Sequence, residues 1–222
     1  MHDFVSLDTL LSQRHSCRAF LHEPVERKLV EQIVTTAQKV PSWCNSQPWH
    51  LIVLGVAETN RLRDHLFEAA AETKFAPDVS FPEYYAGIYK KRRSECGWQL
   101  YDAVGVAKGD RAASHEQMMQ NFRFFGAPHL ALVTSPVELG PYGVLDCGAF
   151  ITGFMVAAQA LGLGSIAQAA LASYAPLLRA ALDVPPDRNI LCGISFGYAD
   201  INHPANSFRT TRATVNEVID WR

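Results

Sequence analysis

The sequence lacks several features that would assign it at once to a common class. Its five cysteines are an odd number without a Cys-x-x-Cys pair, so we expect reduced thiols and neither a disulfide framework nor a zinc site. The N-terminal segment is acidic and has no apolar signal-peptide core, and no apolar run is expected to reach the roughly 20 residues that cross a bilayer. We therefore expect a cytoplasmic protein that binds no membrane and no metal.

An excess of one charge is also missing. Twenty basic residues oppose 22 acidic ones, and a net charge of −2 argues against a partner that is a nucleic acid. Lysine is scarce, since fourteen of the basic residues are arginine, and this bias suits the fixed recognition of phosphate or carboxylate. The chain of 222 residues is 48% hydrophobic and contains no repeat or linker, so we expect one domain over residues 1–222.

Helical patterns and short apolar runs alternate along the chain. Helical spacing predicts helices at 6–13, 25–40, 58–76, 82–104, 111–124 and 146–161. Apolar runs predict strands at 49–54, 129–134, 165–169 and 190–197. Because these runs do not alternate with polar residues, helices are expected to cover both faces of the sheet. The tail after residue 202 ends in apolar residues that a partner subunit is well suited to cover.

Three segments carry side chains that bind anions or heterocycles. In RHSCR, Arg14 and Arg18 flank a serine and can hold a phosphate or an electron-rich ring edge, although a solvated basic turn is the alternative. PSWCNSQPW, residues 41–49, offers amides and hydroxyls to a planar heterocycle, unless they satisfy their own backbone. NSFRTTR, residues 206–212, is a second anion-friendly segment.

Two other patterns are interpreted as structural or rejected. Gly162 and Gly164 follow a helix and precede a strand, which is the reverse of the dinucleotide-binding order, so we interpret them as helix terminators. Cys44 and His50 do not indicate a cysteine hydrolase, because no oxyanion loop or third catalytic group accompanies them.

Taken together, RHSCRAF, PSWCNSQPW, GLGS, FGYAD and the C-terminal arginine pair resemble the nitroreductase-like FMN-dependent oxidoreductase family, particularly its branch with the PSWCNSQPW loop. The resemblance covers about residues 6–220. It implies an α+β fold, a three-layer α/β/α sandwich with a central mixed sheet of four to five strands. It also implies a homodimer with a domain-swapped C-terminal tail, and a lid insertion at about 75–125.

The resemblance further implies a reaction and its cofactors. Two FMN molecules are expected to bind non-covalently at the subunit interface. Hydride is expected to pass by a ping-pong mechanism from NADH or NADPH to FMN, and then to a nitroaromatic, quinone or similar electron-poor acceptor. No residue is expected to be catalytic by itself, because the hydride chemistry belongs to the cofactor.

The resemblance assigns cofactor-binding roles to four groups of residues. In the first, Arg14 and Ser16 meet the phosphate, Arg18 meets the pyrimidine edge, and His15 lies in the same segment. The loop that reaches FMN from the other subunit comprises Pro41, Ser42, Trp43 and Asn45. The backbone groups at the N5/O4 edge belong to Ala167, Gln168 and Ala169. The C-terminal phosphate contact is Arg212, with Arg209 as the alternative.

The sequence departs from the family's pattern at two of these segments, and other functions stay open. The glutamate that many members carry after the GLGS strand is replaced by Ala169 or its neighbour, and the Lys-Ser-Arg form of the tail is not reproduced. Within the same fold, the alternatives are a reductive dehalogenase or flavin-consuming enzyme, and a non-catalytic flavin-binding or storage protein. Outside it, the alternative is a hydrolase that uses Cys44.

Overall fold

A four-stranded antiparallel sheet forms the middle layer of the fold, in a computed structural model that describes residues 2–70 and 73–222. In the order β1-β2-β4-β3, the strands are β1 (His50–Leu54), β2 (His129–Pro136), β4 (Arg188–Gly197) and β3 (Gly164–Gln168). All four lie where the sequence predicts strands.

The direction of the strands differs from the mixed sheet that the resemblance implies. Every ladder is antiparallel, and parallel pairing within the described residues is limited to the isolated bridge between Ser16 and Ser165. An unbroken apolar run indicates that both faces of a strand are buried, but it does not indicate the direction of the strand. Helices that cover both faces produce such runs in antiparallel sheets as well.

Seven α-helices surround the sheet in the described part of the chain. They are α1 (His2–Gln13), α2 (Arg27–Ala37), α3 (Val56–Ala70), α4 (Gly87–Ala103), α5 (Arg111–Met119), α6 (Gly140–Ala160) and α7 (Ala175–Leu182). The sequence predicts the first six. Residues 71 and 72 of the helix predicted at 58–76 lie outside the described residues, while residues 73–76 are not helical. Helix α7 was not predicted, although Pro176 marks its first turn.

Each face of the sheet packs against its own apolar layer. Leu130 and Leu132 of β2 join one buried cluster, with Tyr174 among its members, whereas Ala131 and Val133 join the other, with Phe150 of α6. Because successive side chains of a strand point to opposite faces, β2 is buried on both. This arrangement is the expected three-layer α+β sandwich.

Helix α6 is the longest element and divides into a buried and an exposed face. With the turn before it, it spans 24 residues, and an 18-residue window within them has a mean hydropathy of 1.4. By length and composition this is enough to cross a membrane, contrary to the expectation that no run is so long. One face packs in the core, as the face of a core helix does. The packing against α2 is close, because a Cβ on Gly153 would lie 3.3 Å from the Cα of Ala37. In its first two turns, Tyr142 and Leu145 are exposed.

Candidate active site

A cleft of about 690 Å³ opens where the end of α1, helix α6 and the C-terminal segment meet. Four arginines line it: Arg14 and Arg18 are half-buried, and Arg209 and Arg212 are exposed at its rim. No aspartate or glutamate is among the described residues of its lining. The structure thus brings together the arginines of two segments that lie far apart in the sequence, and their shared positive charge favours an anion in the cleft.

Backbone contacts fix the segment that carries Arg14 and Arg18. The N–H of Cys17 donates to the carbonyl oxygen of Ser165 on β3 at 3.1 Å. On the other side, the N–H of Arg18 donates to Oδ1 of the buried Asn206 at 2.7 Å. The segment is therefore held between the edge strand β3 and the start of the C-terminal segment.

The two glycines before β3 have different roles. Gly162, with a φ of +75°, ends helix α6 as predicted. Gly164 is instead required for close approach, because a Cβ there would lie 2.9 Å from Sγ of Cys17. Its interpretation as a helix terminator was wrong: Gly164 allows the arginine segment to lie against the sheet.

The positive charges of the cleft form no ion pair with the residues that the structure describes. Burial and the nearby charge of Arg212 lower the pKa of Arg14, and burial lowers that of Arg18. None of the four arginines forms an ion pair with a described residue. Holding like charges together in a partly buried site is unfavourable, and a bound anion removes that cost.

His15 adds a hydrogen-bond acceptor to the cleft. Its Nδ1 lies 3.2 Å from the carbonyl oxygen of Gln13, so Nδ1 carries the proton and donates it. Burial lowers the pKa of His15, an effect that the charges of Arg209, Arg14 and Arg18 reinforce and the Gln13 contact opposes. Nε2 is buried without a partner among the described residues, and in the neutral ring it offers a lone pair to a ligand hydroxyl.

A second cavity of about 300 Å³ adjoins the first, and Ser16 and Arg18 line both. Ala167, Gln168 and Ala169 line it at the end of β3, and the role expected of their backbone groups stays a prediction. The side chain of Gln168 points away: its Oε1 accepts from Ser195 Oγ at 2.5 Å, and its Nε2 donates to the carbonyl oxygen of Asn121 at 2.9 Å.

Several lining residues were missed by sequence reasoning. The first cavity includes Cys96, Thr152, Met155 and Phe208, and the second includes Leu100, Tyr101, Gln117 and Met118. Of these, only Phe208 had a signal, because it lies beside a predicted arginine; its ring centre is 5.8 Å from Cζ of Arg18. The residues on α4 and α5 follow no motif.

The loop at 41–49 lies away from both cavities. Pro41, Ser42, Trp43 and Asn45 line neither of them, and Trp43 is 66% exposed. One subunit therefore does not bring this loop to its own arginine cluster. The expectation that the loop serves the other subunit's site stays a prediction.

Comparison with known proteins decides the family. The model of the family described as "Nitroreductase family" matches residues 11–198. The chain belongs to the nitroreductase family. It is 34% identical to Nitroreductase NfnB of Mycolicibacterium smegmatis, over 95% of this chain and 90% of that protein. It is 33% identical to a 4-nitrobenzoate reductase of Pseudomonas putida, over 92% of this chain and 90% of that protein.

Solved structures of nitroreductases share the fold over nearly the whole chain. One is the FMN-dependent nitroreductase NfnB from Mycobacterium smegmatis in complex with NADPH, with a TM-score of 0.94, 33% identity and 99% coverage of both chains. Another is the FMN and NADPH-dependent nitroreductase NfnB from Sphigopyxis sp. strain HMH, with a TM-score of 0.93, 31% identity and coverage of 97% and 98%. The family and the fold class inferred from the motifs are confirmed.

Proposed function

We propose that this nitroreductase is an FMN-dependent NAD(P)H oxidoreductase that reduces nitroaromatic, quinone or similar electron-poor acceptors by a ping-pong mechanism. The observation that carries the proposal is the cluster of four arginines, without an ion pair in the described part of the chain, beside the cavity at the end of β3. The names of the relatives support it, since NfnB is FMN-dependent and was crystallised with NADPH, and the Pseudomonas putida relative reduces 4-nitrobenzoate.

The residues of the cleft fit the parts of FMN. Arg14 and Ser16 are assigned to the phosphate, together with Arg212, whose charge lowers the pKa of Arg14. Arg209 lines the same cleft and is the alternative phosphate contact. The lone pair on His15 Nε2 suits a ribityl hydroxyl. The ring system is assigned to the adjoining cavity.

Bound FMN supplies the transfer of hydride from the nicotinamide to the acceptor. The chain binds and orients the reactants, and Arg18 is assigned to the pyrimidine edge of the flavin, where negative charge resides after reduction. Tyr101 and Met118 line the adjoining cavity and offer contacts to the ring system. No protein acid or base is required for this transfer.

The surface supports a homodimer with a swapped tail. Apolar side chains on α1, α6 and the tail are more than half exposed, among them Phe4, Val5, Leu145, Val218 and Trp221. The outer edge of β3 is covered by the bridge from Ser16, which leaves β1 as the open edge of the sheet. We propose that the partner's tail covers this exposed surface, and that the loop at 41–49 reaches the partner's FMN.

The odd number of cysteines supports the cytoplasm as the proposed location. All five are free, and three of them, Cys17, Cys147 and Cys192, are buried as reduced thiols. An oxidising compartment favours paired cysteines.

Anaerobic reduction of the purified protein tests the function. A flavin spectrum that bleaches within seconds with NADH or NADPH, and returns on addition of 4-nitrobenzoate or a quinone, supports the proposal. Parallel double-reciprocal plots with donor and acceptor varied support the ping-pong order. Flavin that neither donor bleaches identifies a flavin store, and a colourless protein that takes up no FMN refutes the proposal.

A further inference from the structure

The loop between α2 and β1 is anchored by a buried carboxylate that the proposed function does not use. Asp146 lies on α6 and is 8% exposed. Its Oδ1 and Oδ2 accept the backbone N–H of Trp43 at 3.2 and 3.0 Å. Oδ2 also accepts the hydroxyl of Ser46 at 3.4 Å. One carboxylate therefore binds both ends of the turn at 43–46.

This turn and Gln47, which follows it, have a backbone conformation that residues other than glycine rarely adopt. Cys44, Asn45 and Gln47 have φ values of +50°, +56° and +47°. Non-glycine residues in the left-handed region carry strain and remain there only where their surroundings impose it. The segment 41–49 contains no glycine to relieve that strain.

Two further contacts belong to the same anchorage. The ring of Tyr142, one helical turn before Asp146, lies 5.6 Å from the ring of Trp43 between centroids. At the exit of the loop, Nη2 of Arg188 donates to the carbonyl oxygen of Pro48 at 2.8 Å. Helix α6 thus fixes the turn at 43–46, and strand β4 fixes the point where the loop enters β1.

We propose that Asp146 is a positioning residue of the flavin site: its carboxylate holds the turn in the conformation that presents Asn45 to the FMN of the partner subunit. The inference rests on the proposed function, in which Asn45 contacts that FMN. Asp146 lines neither cavity of its own subunit, and its oxygens are occupied by Trp43 and Ser46. Its influence on FMN therefore passes through the loop.

The substitution Asp146→Asn tests this role with little change in shape. An amide has one acceptor oxygen and one donor group, so it cannot accept with both atoms as the carboxylate does. We expect FMN to bind roughly tenfold more weakly, the fold-change that about 1.4 kcal/mol produces. Titration of the FMN-free protein by flavin fluorescence measures it.

A double-mutant cycle with Asn45→Ala separates positioning from general destabilisation. If Asp146 acts through Asn45, the double variant binds FMN no more weakly than the weaker single variant. Thr59→Ala is the matched control: Thr59 is buried on α3, and its hydroxyl donates to the carbonyl oxygen of Leu54 at 3.4 Å and to no described residue of the loop. This control is expected to lower thermal stability and leave FMN affinity unchanged.

Hydrogen exchange in the FMN-free protein provides a readout that does not involve flavin. Asp146→Asn should accelerate exchange of the amides at 42–47, that of Trp43 above all, whereas Thr59→Ala should not. If Asp146→Asn does not fold, Ser46→Ala removes one of the same hydrogen bonds. FMN affinity and hydrogen exchange are then measured on Ser46→Ala, and both should change in the same direction by a smaller amount.

The outcomes distinguish this inference from the proposed function. Additive losses of FMN affinity in the cycle, or unchanged exchange at 42–47, overturn the role of Asp146 while the function stands. A wild-type protein that binds no FMN overturns the function and, with it, this inference. Coupled losses together with faster exchange support both.

Discussion

The charge of Arg18 should raise the reduction potential of bound FMN, and Arg18→Gln isolates that effect. Among the described residues its guanidinium has no carboxylate partner; Nη1 donates to the carbonyl oxygen of Ser16 at 3.2 Å. Burial lowers the pKa of Arg18, so the fold maintains this charge at a cost. Glutamine keeps a donor for Ser16 and removes the charge.

The expected shift follows from the charge that appears on reduction. Two unit charges about 4 Å apart attract by about 4 kcal/mol at an effective dielectric constant of 20. For a two-electron couple, 1.4 kcal/mol corresponds to about 30 mV, so the full attraction corresponds to about 90 mV. Arg18 is half-buried, and water that reaches the site screens part of the attraction. We expect the midpoint potential of Arg18→Gln to lie about 30 to 90 mV below that of the wild type.

Spectroelectrochemical titration of the two proteins measures the shift, and Arg27→Gln is the control. Arg27 lies on α2, away from the cleft, and its exposed side chain is paired with Glu31 at 2.8 Å, so its loss should leave the potential unchanged. If Arg18 were instead a second phosphate contact, Arg18→Gln would weaken both redox states equally. An unshifted midpoint would therefore refute the assignment of Arg18 to the pyrimidine edge.

Three further predictions address the phosphate, His15 and the dimer. Arg14→Ala should bind FMN about tenfold to a hundredfold more weakly, because it loses about 1.5–3 kcal/mol of interaction with the phosphate, yet it should bind riboflavin as the wild type does. Equal weakening for both flavins in fluorescence titrations would contradict the phosphate assignment. Because the pKa of His15 is lowered and its neutral form accepts the hydrogen bond, wild-type FMN affinity should fall as the pH drops below about 6.5 through that lowered pKa. In His15→Asn this component should disappear, while in His22→Asn it should remain. Leu145→Glu, on the exposed face of α6, should yield a folded monomer that retains little FMN, and a dimer of unchanged flavin content in light scattering would count against the proposed interface.

The fold was predictable where burial leaves a signature in consecutive residues. The run HLALV at 129–133 identifies β2 because each of its faces meets a separate apolar cluster. The same run carries no information on direction, so the antiparallel order did not follow from it. Helix α7 escaped prediction because it is only eight residues long and lies between a 3-10 turn and a proline pair.

The candidate site was predictable in the same local sense. Arg14, Ser16 and Arg18 are close in sequence, so one motif contains them. Their supports are distant in the chain: Asn206 receives the N–H of Arg18 from 188 residues away, and Asp146 receives that of Trp43 from 103 residues away. A motif records the groups that face a ligand, whereas the groups that hold the motif in place become visible only once the chain is folded.

The two parts of the proposed site are built in opposite ways, and this difference assigns them different roles. The turn at 43–46 is strained, but Asp146 already binds the N–H of Trp43 and the hydroxyl of Ser46 before any ligand arrives. The arginine cluster is the reverse: its backbone is held by β3 and Asn206, while its charges and the Nε2 of His15 have no partner among the described residues. A satisfied loop can supply geometry without being reorganised by FMN. An unsatisfied cluster supplies affinity, because the anion relieves a repulsion that folding has imposed on the chain.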